Sequence, residues 1–161
     1  MADPQSWAPA PATTTELKAR LLSDHRALEQ LLAQLGCAID GANPPTLCEQ
    51  WTHFEQSLRD HLDTEERFLF PLVASAHRSD VEGLRAEHQH IRRALSELGV
   101  AADLHTLRKA SVDELIVYLQ QHALREERSL YHWLEDSAAA QRGLRAMFDR
   151  RAGRGIATSN D

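Results

Sequence analysis

The sequence predicts an all-α fold: an up-down-up-down four-helix bundle made of two helical hairpins, A-B and C-D, related by a pseudo-two-fold internal repeat. Three features predict it. Apolar residues recur at helical spacing through four long stretches, and no stretch alternates with the period of two that marks a strand. The connections between these stretches are short, which favours antiparallel neighbours. Finally, the pattern His-x-x-x-Glu-Glu-Arg-x-Leu-[Phe/Tyr] begins at His61 and again 61 positions later at His122.

Residues 1–13 carry Pro4, Pro9 and Pro11 without an apolar period and read as a flexible tail. Helix A starts at a cap among Thr13, Thr14 and Thr15, with Glu16 in the favourable first turn, and runs to about Gly36–Asp40. Its stripe is Leu21, His25, Leu28, Leu32 and Leu35. Gly41-Ala42-Asn43-Pro44-Pro45 ends it, and Pro45 suits the first turn of helix B, where a missing N–H costs little. Helix B runs from about Thr46 into the low 70s, with Pro71 kinking or ending its last turn. Its stripe is Trp51, Phe54, Leu58, His61, Glu65, Leu69 and Leu72.

Helix C is capped near Ser79-Asp80 and stops at Gly99. Its stripe, Leu84, His88, Ile91, Leu95 and Leu98, repeats the offsets of helix A. Helix D starts between Thr106 and Ser111 and continues to about Glu135. Val112, Leu115, Leu119, His122, Glu126, Leu130 and Trp133 repeat the offsets of helix B. Ala138–Arg150 suits a short C-terminal helix with Leu144, Met147 and Phe148 on one face. The bundle domain is therefore expected over 14–150, and 151–161 as a second flexible tail.

A chain of 161 residues suits one domain with a real core. The net charge of -6 offers no basic surface for nucleic acid or anionic lipid. No apolar run is long enough to cross a bilayer, and the first residues lack the basic start and apolar core of a secretory signal, so the cytosol is the expected location. Cys37 and Cys48 are too few for a disulfide framework and are expected to be reduced. Histidine is the anomaly, with nine copies placed in a pattern.

Each predicted stripe is interrupted by polar residues at a single level: His25 in A, His61 with Glu65 in B, His88 in C, His122 with Glu126 in D. At 3.6 residues per turn, a histidine and a glutamate four apart project from one side of a helix. One such pair is an ordinary helix-surface contact, and one histidine on an apolar face is commonly a hydrogen-bonded core residue. Six polar residues at matching places in four stripes are neither. A buried unpaired carboxylate costs several kcal/mol, so something must compensate two of them. Four imidazoles and two carboxylates form a ligand set for two borderline metals bridged by the carboxylates.

At these residues the chain resembles the hemerythrin-like (HHE cation-binding) family of non-haem di-iron four-helix bundles. Asp24-His25, His61-x-x-x-Glu65-Glu66, Glu87-His88 and His122-x-x-x-Glu126-Glu127 carry the resemblance, which covers roughly residues 14–136. It implies two iron ions, one held by His25 and His61 and the other by His88 and His122. Glu65 and Glu126 would bridge them beside an oxo or hydroxo group. It also implies a small ligand: dioxygen, peroxide or nitric oxide. An electron donor would be consistent with this, as would a monomer or homodimer.

The chain departs from the oxygen-carrying hemerythrins in two places. Their third helix has a second histidine where this chain has Arg92, and their fourth-helix acid is an Asp one residue further from its His than Glu126. The missing imidazole implies an additional open position at one iron, which favours a reacting or sensing site over simple oxygen carriage. His90 lies about 200° round the helix from His88 and should point away. Glu66 and Glu127 are expected as ion-paired flanks, with Arg67 and Arg128 nearby. Asp24 and Glu87 are expected beside the ligands or in solvent, and Tyr118 as a core aromatic near His122. His53, His77, His105 and His132 read as surface or helix-end residues. Iron storage, delivery or repair, and a zinc-stapled or metal-free bundle, are the alternatives; the fate and identity of the metal separate them.

Overall fold

In the computed structural model, the described residues are 14–39, 44–136, 138 and 142. The expected tails at 1–13 and 151–161, and all but two residues of the expected helix at 138–150, lie outside them. Helix α1 spans Thr14–Ala38, α2 Pro44–Thr64, α4 Arg78–Asp103 and α5 Lys109–Arg128. The α2 rod continues through a π-helical turn, Glu65–Leu69, into the short α3, Phe70–Val73. A break at Ser129 separates α5 from α6, Leu130–Asp136. No strand occurs among the described residues.

Each long helix packs on two others, so the ring runs α1, α2, α4, α5 and back to α1. Neighbours are antiparallel. Cys48 near the start of α2 meets Asp103 at the end of α4, while Arg85 near the start of α4 meets Glu66 past the end of α2. This is the four-helix bundle that the four apolar stripes and short connections demand.

Two features differ from expectation. Helix α4 runs through Gly99 to Asp103, because Gly99 serves packing instead of ending the helix. A Cβ there would lie 3.2 Å from Trp51 Nε1 and 3.3 Å from Glu55 Oε2, so its absence lets α2 come close. The turn ending α4 falls instead at His105, whose φ of 56° is left-handed. The second difference is a change of register. Leu69, Phe70 and Val73 are buried, where an unbroken helix would bury Leu69 and Leu72; likewise Leu130, Tyr131 and Leu134 are buried in place of Leu130 and Trp133.

The helix is disturbed after each glutamate, in the first copy by an inserted residue. Phe70 N–H bonds to Glu65 O, five residues back, and Pro71 has no N–H to restore the α-helical ladder. In the second copy, Ser129 N–H is shared between the carbonyls of Arg125 and Glu126 at 3.0 and 3.3 Å. Its hydroxyl bonds Arg125 O at 2.7 Å. Both copies thus break just past the glutamate, the first by a π turn and the second by an irregular turn at Ser129.

The core forms two apolar clusters. One, around Leu32, Trp51, Phe54, Leu95 and Val112, fills the end of the bundle holding the α1–α2 and α4–α5 connections. The other, around Leu21, Leu69, Phe70, Leu84, Leu130 and Tyr131, fills the opposite end. Between them lies a polar layer. Its members are the six residues that interrupted the stripes.

Candidate metal centre

All four helices contribute to this layer, and all six sequence-predicted residues meet in it. His25, His61, Glu65 and Glu126 form one group of potential ligand atoms within 4.8 Å of one another; Glu65, His88, His122 and Glu126 form a second. The two glutamates belong to both. Glu65 and Glu126 are fully buried, and His88 and His122 are nearly so.

Each histidine presents Nε2 to the interior. Glu126 Oε2 lies 3.2 Å from His25 Nε2, while its Oε1 lies 3.4 Å from His88 Nε2 and 3.3 Å from His122 Nε2. Glu65 Oε1 lies 3.4 Å from His61 Nε2 and 4.0 Å from His25 Nε2, and its Oε2 lies 3.6 Å from His88 Nε2. Each carboxylate therefore turns one oxygen toward each histidine pair.

These contacts are close, yet they leave hydrogen-bonding capacity unused. His61 Nε2, Glu65 Oε2, His122 Nε2 and Glu126 Oε2 are buried without a hydrogen-bond partner. Buried polar atoms are seldom left so, and four of them aimed at one space fit a cation that would satisfy them together. The donor types, imidazole nitrogen and carboxylate oxygen, suit a borderline transition metal.

Electrostatics agree. Burial, then the neighbouring charge of Glu126, push Glu65 well above the usual carboxyl range. Burial also pushes Glu126 upward, but the imidazoles of His122, His25 and His88 around it outweigh burial and hold Glu126 well below that range. Two adjacent buried carboxylates cannot both stay ionised without a cation, so Glu65 keeps a proton while Glu126 collects the histidine contacts. Burial, with His25 close by, lowers His61 to about 3, which keeps its imidazole neutral. Burial lowers His122 too, but Glu126 and Glu87 more than compensate and raise it.

Around the layer, Glu66 and Glu87 do specific work. Glu66 Oε1 lies 2.9 Å from His88 Nδ1, and Glu87 Oε2 lies 2.8 Å from His122 Nδ1. A carboxylate can only accept, so Nδ1 carries the proton in both rings and Nε2 is left with its lone pair facing inward. Arg92 holds Glu66 at 2.6 Å and also binds Asp63. The expected pairing of Glu66 with Arg67 is thus replaced by Arg92 and Arg85 from α4. Arg92 occupies a missing imidazole's place in the pattern but acts on the back of His88.

Other residues fall where the helices take them. His90 is exposed and packs against Tyr118, ring centres 4.5 Å apart, so Tyr118 turns away from the layer. Asp24, Glu127, His53, His105 and His132 are exposed; His77 precedes α4 and stacks on Trp133. Cys37 and Cys48 are both free thiols, and Cys48 lies 3.5 Å from Asp103.

The tyrosine that reaches the layer is Tyr131. Its hydroxyl donates to Glu65 Oε1 at 3.1 Å and lies 3.2 Å from His25 Nε2. Burial and the two glutamates push its pKa well up, so the hydroxyl keeps its proton. Five residues past Glu126, it would point elsewhere on an unbroken helix, and the break at Ser129 turns it inward. The aromatic at that place in both copies of the motif was the available signal.

A family model for the hemerythrin HHE cation-binding domain matches residues 17–134, and again residues 79–151. The chain belongs to that family. The first match spans the whole bundle and the second begins at α4, as expected of a chain whose second hairpin repeats its first. Neither a search of curated proteins nor one of solved structures found a match. The hemerythrin assignment and the His/Glu layer together make cation binding the site's function, with iron the usual metal of the domain.

Proposed function

We propose that this hemerythrin-domain chain is a non-haem di-iron protein that binds or reacts with a small oxygen- or nitrogen-derived molecule: dioxygen, peroxide or nitric oxide. Its role would be in sensing, in oxidative or nitrosative stress response, or in oxygen handling. The observation that carries this reading is the way Glu65 and Glu126 straddle two histidine pairs. His25 and His61 would hold one iron, His88 and His122 the other, and the two glutamates would bridge them. Zinc also accepts four ligands, but it is redox-silent, so the response of the bound metal to air separates it from iron.

When bound, a ferrous pair would supply electrons and open positions to the small molecule. The chain supplies the rest. Glu66 and Glu87 orient two of the imidazoles, and Glu65 and Glu126 carry the charge that balances the cations. Apolar clusters above and below exclude water. A cavity of about 20 Å³ beside His25, His61 and His122 has room for a water-sized molecule. No helix of the described residues is long and apolar enough to cross a membrane.

The test is nitric oxide binding to protein loaded with Fe(II) in the absence of air. The proposal expects a saturable visible absorption change that Glu126→Ala abolishes. An unchanged spectrum at excess nitric oxide would refute it.

Proton competition gives a further expectation. Ligand groups must be deprotonated to bind metal, and Glu65 and His122 both hold protons to higher pH than usual. Metal uptake near neutral pH therefore releases protons, and retention falls as pH drops through the range where these groups reprotonate. Dialysis at pH 4 should strip the metal; full retention there would contradict histidine ligation.

A further inference from the structure

The polar layer lies inside the bundle, so a cation must cross a seam between helices to reach it. Two seams are closed by ion-paired side chains. Between α2 and α4, Arg92 ties Glu66 to Asp63, and Arg85 lies 3.5 Å from Glu66. Between α4 and α5, Arg125 pairs with Glu87. Gly83 sits so near this pair that a Cβ there would lie 2.7 Å from Arg125 Nη2.

The side that α1 covers is built differently. There a partly open cavity is lined by leucines, by Glu29 and Ala123, and by His25, His61 and His122. His61 Nε2 and His122 Nε2 are two of the buried atoms without a hydrogen-bond partner, so the cavity borders the unsatisfied part of the layer. The lining leucines are buried, whereas Glu29 on α1 and Ala123 on α5 are half-buried. The cavity therefore meets solvent between these two residues.

Glu29 has no counterpart in the other half of the repeat. It stands four residues after His25, as Arg92 stands four after His88. Arg92 binds two carboxylates, but Glu29 has neither an ion pair nor a hydrogen bond among the described residues. Arg26, exposed on the same helix, does not line the cavity. A carboxylate at the mouth of an apolar cleft focuses its field on an approaching cation and raises the rate of encounter by about tenfold or more.

We propose that this cavity is the port through which a divalent cation enters and leaves the layer, with Glu29 as the capture residue at its mouth. A charge that stabilises the cation only in transit lowers the barrier in both directions. It speeds uptake and release alike and leaves the dissociation constant where it was. This inference rests on the layer as the cation site.

The experiment follows Co(II) by visible absorption in the full chain. Uptake is measured on metal-free protein, and release on loaded protein with chelator in excess. At low ionic strength Glu29→Gln should slow both by about tenfold, with the dissociation constant unchanged. The difference should shrink as salt screens the charge. Ala123→Leu, which adds bulk without charge, should slow both at least as much, at low and high salt. Glu97→Gln removes the same charge from an exposed position on α4 and should change neither rate. Circular dichroism shows that each variant folds.

Wild-type rates in Glu29→Gln or in Ala123→Leu would overturn the port and leave the cation site standing. So would a loss of affinity in Glu29→Gln at an unchanged uptake rate, since Glu29 would then be a ligand. Equal slowing by Glu97→Gln would reduce the effect to net charge and overturn the capture role. No Co(II) uptake by the wild-type chain would overturn both the port and the cation site.

Discussion

Glu126→Ala is expected to abolish two-metal binding, and Glu65→Ala to do the same. Each carboxylate turns one oxygen to each histidine pair, so one truncation removes a ligand from both positions at once. Losing a partner that only supports a ligand already costs about 10–100-fold in affinity, so losing a shared ligand should cost at least about 100-fold at each position. His90→Ala is the control: His90 is exposed, packs on Tyr118 and should leave the metal count unchanged. Metal analysis after dialysis, with circular dichroism to show that each variant folds, decides the matter. Equal loss in all three variants would contradict the bridging role.

Metal should also stabilise the fold strongly. Without a cation, the layer between the two apolar clusters holds four buried atoms with no hydrogen-bond partner and two adjacent carboxyls competing for charge. A cation satisfies these groups only in the folded state, since the unfolded chain scatters them. Free metal at 100 times the dissociation constant adds about 2.7 kcal/mol per site. For a domain of this size each kcal/mol moves the melting temperature by about 2–4 °C, so one filled site should raise it by roughly 5–11 °C and two by more. A thermal melt with and without chelator tests this; coincident curves would show that the layer holds no metal that matters to the fold.

Most of this arrangement was legible in the sequence, because its signals are periodic and doubled. The apolar stripes of α1, α2, α4 and α5 specify the bundle, and the interruptions at His25, His61, Glu65, His88, His122 and Glu126 specify the layer. Part of what was not legible follows from local breaks in two helices. The helix takes in an extra residue after Glu65 and breaks at an irregular turn at Ser129, and each disturbance rotates what lies beyond it. That rotation buries Val73 and Leu134 in place of Leu72 and Trp133, and brings in Tyr131, whereas helical spacing puts Tyr118 one turn from His122.

Contacts between helices were equally hidden. Arg92 as the clamp on Glu66, Glu87 behind His122, and Gly99 as a packing position each depend on which helix lies across the interface. Spacing within one helix does not encode that. The departure at Arg92 was visible in the sequence; its consequence was not, because the guanidinium supports a ligand from behind.

The most direct test of the central claim is the iron content per chain after anaerobic loading with Fe(II), with an optical spectrum recorded before and after admitting air. Two irons per chain with a new near-ultraviolet charge-transfer absorption is the predicted result for this ligand set. Stoichiometric zinc in the isolated protein, or no bound iron after loading, would contradict it.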